Sequence, residues 1–324
     1  MKEQLGVLLA TVEKELLNVG FDQSPTSLYK PAEYLLNIGG KRLRPIVTLL
    51  GCGVFTNPLK AMPQALAVEV FHNFTLMHDD IMDDAPLRRG QETVHEKWNL
   101  NTAILSGDAM LVKSYQLLAQ CEATILPELL SVFSETALQV CEGQQHDMDF
   151  ETRSEVTEAE YIGMIQQKTS VLLGCAIKMG ALVGGASADD AAKLYQFGLL
   201  LGTSFQIKDD LLDCFGDPEK VGKQVGGDIV SNKKTLLLIQ ALKTAKGDDA
   251  ATLNAWINKK QFDPKEKVDA VKATYRNLEI EDFANTKMNF YFKRALKNLD
   301  DVSATPEQKK TLYAFADWLM KRDS

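Results

Sequence analysis

The word Asp-Asp-x-x-Asp occurs twice in the chain, at Asp79–Asp83 and at Asp209–Asp213, and each copy ends a long apolar run. The first run reads VEVFHNFTLM, Val68 to Met77, and continues as HDDIMDDAPLRRG from His78 to Gly90. On a helix, side chains four apart stand nearly above one another. Asp79 then aligns with Asp83, Asp80 with Asp84, and Asp209 with Asp213. Like charges at that spacing destabilise a helix by a few tenths of a kcal/mol, so something else must hold them. Hard divalent cations take oxygen ligands, and Mg²⁺ characteristically uses one or two carboxylates plus phosphate oxygens of a substrate. One acidic pair alone is commonly a solvated face or a helix cap. Two copies, each behind an apolar helix and each followed by glycine and basic residues, point to metal ions held against a diphosphate.

Everything around these words reads as helix. Residues 64–84, 102–121, 127–149, 158–180, 189–215 and 234–246 place apolar side chains at three- and four-residue spacing. The N-terminal MKEQLGVLLATVEKELL reads as an amphipathic helix, not a secretory signal. Breaks fall at Asn57-Pro58, Asp84–Glu92, Gly184–Ser187, Gly216–Gly227 and Thr305-Pro306. Alternating strand patterns are scarce and hairpin dipeptides nearly absent. The expectation is an all-α chain forming a single domain over residues 1–324. No run of about 18 apolar residues lacks charge, so no membrane span is expected. Five scattered cysteines without a CxxC pair fit a reduced, cytoplasmic protein.

The formal net charge of −8 argues against a nucleic-acid partner. The cations are nonetheless gathered: KRLR at Lys41–Arg44, LRRG at Leu87–Gly90 and NKKT at Asn232–Thr235. Arginine offers a planar fork that matches phosphate oxygens, and lysine a mobile point charge. A basic run alone is commonly a solvated face. Here Arg88 and Arg89 follow the first acidic word within one loop, and Lys223 and Lys233 follow the second. The carboxylates recruit cations, and cations and arginines together neutralise phosphates.

At this point the words resemble those of the trans-isoprenyl diphosphate synthases, or polyprenyl synthetases. They are GGKRLRP (Gly39–Pro45), EVFHNFTLMHDDIMDDAPLRRG (Glu69–Gly90), GDAML (Gly107–Leu111), EGQQHDMDFE (Glu142–Glu151), QKTSVLLG (Gln167–Gly174), FQIKDDLLDCFGD (Phe205–Asp217), GKQVGGDI (Gly222–Ile229) and NKKT, in the family's order. The resemblance implies a helical bundle around a deep central cavity, the isoprenoid synthase fold, as a homodimer. It implies condensation of isopentenyl diphosphate with an allylic diphosphate (dimethylallyl, geranyl or farnesyl), assisted by Mg²⁺, with three ions when substrate is bound. Asp79 and Asp83 match the first-motif metal ligands, with Asp80 and Asp84 beside them. Asp209 matches the main second-motif ligand, supported by Asp213. Arg88, Lys168, Lys223 and Lys233 match the groups that bind the allylic diphosphate. Lys41, Arg44, His72 and Arg89 match those for isopentenyl diphosphate, with Gly40 contributing backbone. Thr169 and Gln206 match positions near the reacting carbon, while His78 is read as structural. Residues 1–38 and 247–324 carry no such word.

The resemblance also bears on product length. A bulky aromatic five positions before the first aspartate, with a small residue four before, goes with C20 products; aromatics at both go with C15. Here those positions hold Phe74 and Thr75. At about 1.5 Å per residue, Phe74 lies roughly 7–8 Å below Asp79 and Phe71 roughly 12 Å below. The product expected is geranylgeranyl diphosphate, with farnesyl diphosphate as the alternative. A class I terpene cyclase would carry a different second metal motif and have no use for GGKRLRP. A non-catalytic synthase subunit would lack one aspartate word. A purely structural helical protein would not explain the spaced cations.

Overall fold

The computed structural model describes residues 2–217 and 226–321, with side chains from Leu5 onward. In chain order the elements are α1 (Lys2–Leu16), α2 (Thr26–Asn37), α3 (Leu43–Gly53), a 3₁₀ turn (Pro58–Ala61) and α4 (Met62–Met82). A small hairpin, β1 (Leu87–Arg88) and β2 (Gln91–Glu92), leads to α5 (Val94–Lys97), α6 (Leu100–Leu118), α7 (Leu126–Thr152) and α8 (Glu158–Ile165). A π-helical turn (Gln166–Ser170) joins α8 to α9 (Val171–Val183). Then come α10 (Ala188–Phe215), α11 (Gly227–Val230), α12 (Leu236–Thr244), α13 (Gly247–Asn258), α14 (Pro264–Asn277), α15 (Ile280–Asp300) and α16 (Pro306–Lys321). Among the described residues no helix is long and apolar enough to cross a membrane, and Cys52, Cys121, Cys141, Cys175 and Cys214 are free thiols.

Two departures from the sequence pattern matter later. The run 158–180 is not one α-helix, because five residues wind as π. The break at Asp84–Glu92 is partly a hairpin, with Leu87 paired to Glu92 and Arg88 to Gln91. Its loop is Arg89–Gly90, with φ +52° and +75°. A two-residue type I′ loop needs positive φ at both central positions, and its usual signature is Asn-Gly or Asp-Gly. An arginine at the first position hides that signal.

The chain divides into two compact units: Met1–Ser134, Cys175–Tyr195 and Ser303–Leu312 in one, Glu135–Gly174, Gln196–Val302 and Tyr313–Ser324 in the other. In the first unit α4 packs along α6 and α3. Its Ala65, Leu66, Val68, Val70, Phe71, Phe74 and Met77 are all buried. A helix apolar on nearly every face belongs inside, and each such large side chain contributes about 1.5–3 kcal/mol on burial. Gly107 of α6 lets α4 approach: a Cβ there would lie 2.7 Å from Cδ2 of His78. The His78 ring nitrogen Nε2 sits 3.2 Å from the Ile104 carbonyl.

In the second unit α8 starts at a capping box, Thr157 and Glu160 exchanging side-chain-to-backbone bonds of 2.8 and 3.3 Å. Its core gathers Tyr161, Ile165, Ile207, Leu211, Tyr275 and Ile280. The C-terminal helices, silent in motif terms, thus complete the core under the second aspartate word.

Candidate active site

The first aspartate word sits at the C-terminal end of α4. Asp83 is the C-cap, and its N–H donates to the Asp79 carbonyl at 2.9 Å, so these two remain stacked. Asp84 does not align with Asp80, contrary to the expectation from spacing. It takes φ +47°, with its N–H on the Ile81 carbonyl (3.3 Å) and the Ala85 N–H on the Asp80 carbonyl (2.9 Å). Those two bonds and the left-handed residue make a Schellman ending, which aspartate tolerates better than most residues.

The hairpin folds Arg88 back onto this helix end. Its Nε donates to both carboxylate oxygens of Asp80 at 2.8 Å. Its Nη2 lies 2.7 Å from Asp80 Oδ1 and 3.4 Å from Asp79 Oδ2. Asp80 is 2% exposed and committed to this pair. The hard oxygen donors of the word that suit Mg²⁺ are therefore Asp79, half-buried, and Asp83, exposed.

The cations of GGKRLRP gather nearby in the same unit. Arg44 Nη1 lies 3.0 Å from His72 Nε2. Guanidinium can only donate, so Nε2 accepts and the ring proton is on Nδ1. Desolvation, then Arg44, Arg89, Arg88 and Arg42, hold the His72 pKa well below the usual histidine range. Burial also lowers that of Arg44, with Glu69 opposing. Arg89 donates to the Gly39 carbonyl, and Gly40 takes φ +148°, a conformation that L side chains rarely adopt, so a glycine belongs there. Lys41 is exposed. Several guanidinium groups acting on one neutral imidazole make a region suited to an anion. The remaining member of the word, Arg42, is no surface charge: it is 4% exposed and bonds Glu13, Glu69 and the Leu36 carbonyl at 3.0, 2.7 and 2.6 Å.

Below the first word runs a column of rings. His78 and Phe74 have centroids 4.8 Å apart, Phe74 and Phe71 5.5 Å, Phe71 and Phe133 5.1 Å, and Phe133 and Tyr115 5.1 Å. Phe71 is 1% exposed and Phe74 9%. Thr75, the small residue beside Phe74, donates its hydroxyl to the His72 carbonyl at 2.8 Å.

In the second unit the π turn carries Lys168 and Thr169. Such a turn re-aims side chains that a regular helix would stack, and is frequent at functional sites. Two glycines make room for it. A Cβ on Gly143 of α7 would lie 2.7 Å from Lys168 Cα and the Gln167 carbonyl carbon, and one on Gly202 of α10 2.9 Å from Ser170 Cα. Lys168 Nζ pairs with Asp147 at 2.7 Å. Gln206, Asp209 and Asp213 lie at three- and four-residue intervals on α10, on one face. Asp213 also receives the Asp228 N–H at 3.0 Å and, through its carbonyl, the Gly226 N–H at 2.6 Å, which ties GGDI to the aspartate word. Lys233 lies on the same loop, its N–H on the Asp228 carbonyl at 2.9 Å. Lys223 lies outside the described residues.

Several groups here had no role in the sequence reading. Asp210, the second aspartate of its word, is 6% exposed and accepts the Tyr161 hydroxyl. Burial pushes its pKa up to about 7, with the Tyr161 bond and Lys233 opposing and Asp228 and Asp209 reinforcing. Burial also raises Asp228, with Lys233 opposing. Lys267 of α14, 1% exposed, holds the loop before Lys233 through the Val230 carbonyl (2.9 Å) and Asn232 Oδ1 (2.7 Å). Asp210 and Asp228 stood inside quoted words, but nothing in the sequence ties Lys267 to them.

Comparisons with known proteins point to one family. The model of the family described as polyprenyl synthetase matches residues 25–276. A geranylgeranyl diphosphate synthase of Methanosarcina mazei is 40% identical over 307 residues, covering 92% of this chain and 91% of that protein. A geranylfarnesyl diphosphate synthase of Natronomonas pharaonis is 35% identical, covering 93% and 91%. A crystal structure of a geranylgeranyl pyrophosphate synthase superposes with a TM-score of 0.94 at 46% identity, covering 99% of both chains.

Proposed function

Because the chain belongs to the polyprenyl synthetase family and is a trans-prenyltransferase of the all-α isoprenoid synthase fold, we propose that it makes geranylgeranyl diphosphate. It does so by condensing isopentenyl diphosphate with an allylic diphosphate. The observation that supports this most is that each aspartate word has its own cations beside it: Arg88 against Asp80 and Asp79, and Lys233 acting on Asp210 and Asp228. The farnesyl alternative asks for a second aromatic where Thr75 stands, and is not favoured by the names of the similar proteins.

In the proposed reaction the C–O bond of the allylic diphosphate breaks, and its electron pair leaves with the diphosphate. Arg88, Lys168, Lys223 and Lys233 offset the charge that develops there; preorganised charges of this kind act mainly on the transition state. When bound, Mg²⁺, as three ions with substrate, supplies further positive charge to the leaving group; Asp79, Asp83 and Asp209 would hold it. Thr169 and Gln206 offer oxygens to the allyl cation. Lys41, Arg44 and Arg89 bind isopentenyl diphosphate, and the neutral His72 fixes the Arg44 guanidinium by accepting its N–H. The alkene then attacks the cation, and the proton lost passes to the released diphosphate. Apolar side chains keep out the water that would capture the cation. We read the chain as one domain, because the family match runs from residue 25 to 276, across both units; that it works as a cytoplasmic homodimer is part of the same proposal and rests on the family resemblance and the scattered cysteines.

The test is to incubate the protein with isopentenyl diphosphate, Mg²⁺ and each allylic primer in turn, following diphosphate release and product mass. Release with a dominant C20 product is expected. No release with any primer removes the catalytic reading; release with a dominant C15 or C25 product removes the product assignment alone.

A further inference from the structure

Asp84, His95 and Glu96 come together in the first unit although none of them belongs to the machinery above. One ligand atom from each lies within 4.8 Å of the other two, and His95 Nε2 is 3.7 Å from Glu96 Oε1. The His95 side chain is only 9% exposed, and both its ring nitrogens are buried without a hydrogen-bond partner. A buried polar group left unsatisfied is costly, so an imidazole in that state next to two carboxylates calls for an explanation.

The backbone gathers the three deliberately. The Schellman ending of α4 holds Asp84 at φ +47°. The hairpin then reverses the chain. Thr93 closes its base, donating its hydroxyl to the Ala85 carbonyl at 2.7 Å and its N–H to the Pro86 carbonyl at 3.1 Å. Tyr34 adds a bond from its hydroxyl to the Glu92 carbonyl at 2.8 Å. His95 and Glu96 follow at once on α5.

We propose that Asp84, His95 and Glu96 form a binding site for a zinc-class divalent ion, separate from the Mg²⁺ of the aspartate words. An imidazole nitrogen with two carboxylate oxygens suits Zn²⁺ and its first-row neighbours, whereas Mg²⁺ prefers oxygen alone. Tetrahedral bonds of about 2.0–2.2 Å place ligand atoms roughly 3.4 Å apart. The three groups need to draw in by about an ångström, and the two exposed carboxylates can supply it. The ion would staple the base of the hairpin that delivers Arg88 to Asp80. Its function is positional, and the site does not depend on which prenyl product is made.

The experiment is equilibrium dialysis of the full-length protein against Zn²⁺ in excess Mg²⁺, with bound zinc measured by atomic emission and Co²⁺ visible absorption as a second readout. Wild type should retain a zinc ion that Mg²⁺ does not displace. Glu96→Gln and His95→Gln should each weaken that ion roughly 100-fold and abolish the matching cobalt band; losing even an outer partner of a metal ligand costs 10–100-fold. If His95→Gln fails to fold by circular dichroism, Glu96→Gln decides alone, since Glu96 is 52% exposed. Zinc affinity and cobalt spectrum unchanged in the folded variants would overturn the proposal.

Discussion

Gly143→Ala places a methyl group where α7 meets the π turn. The new Cβ would lie 2.7 Å from Lys168 Cα and from the Gln167 carbonyl carbon. Carbon atoms rest at about 3.5–4.0 Å, so backbone must give by about 1 Å, and both atoms belong to the turn that carries Lys168 and Thr169. Overpacking of this kind costs about 1–3 kcal/mol. A displacement of about 1 Å in a positioning group can lower the rate about 10²-fold. The expected result is a kcat/KM down by roughly that factor, with a Tm lower by several degrees. Gly163→Ala is the control: it lies on α8, a Cβ there meets nothing within 4 Å, and alanine favours a helix by about 0.5–1 kcal/mol. It should keep the rate and raise Tm slightly. Steady-state kinetics with an allylic primer and thermal melts by circular dichroism settle the matter. Wild-type kcat/KM with an unchanged Tm in Gly143→Ala would refute the argument that this glycine holds the turn in place.

Phe74→Ala, alone and with Phe71→Ala, should lengthen the product by one or more five-carbon units; an unchanged product profile in the folded double variant places the floor of the chain-binding site elsewhere. Lys41→Ala and Arg44→Ala should chiefly raise KM for isopentenyl diphosphate, and a KM effect confined to the allylic primer would show the basic words to be assigned to the wrong substrate. His72 has a folded pKa well below the ordinary value near 6.5, so its contribution to stability is present above about pH 6.5 and is lost as pH falls below it, where only the unfolded chain takes up the proton. Wild type should therefore lose stability between pH 6.5 and 5 more steeply than His72→Gln, by up to about 1.4 kcal/mol per pH unit; equal slopes in urea unfolding would remove that account.

Helix content, the long helices and both aspartate words were legible because they rest on local periodicity and spacing. What escaped the sequence depends on partners far along the chain. The two words share the pattern Asp-Asp-x-x-Asp, yet Asp80 faces the Arg88 guanidinium while Asp210 faces a neutral phenol, Tyr161. The same position in the two words thus meets a cation in one and a phenol in the other, and only the fold assigns the partner. The burial of Arg42 was not legible because a buried arginine requires acceptors, here Glu13 and Glu69, that no local pattern connects to it. Lys267 was invisible for the same reason. The hairpin escaped because arginine occupies a position where glycine or asparagine would have announced it.

A π turn is a helix that has absorbed one residue too many, and this gives the stretch Gln166–Ser170 an unusual relation to insertions and deletions. Most single-residue deletions shorten a loop. One made here would leave α8 and α9 as an unbroken α-helix, with every hydrogen bond regular. At 3.6 residues per turn, however, all of α8 would swing by about 100° about the helix axis relative to α9. Tyr161 would leave Asp210, and Lys168 would leave Asp147. The extra residue is thus a fixed phase offset between two helices, and at this point the chain counts residues as strictly as a reading frame does.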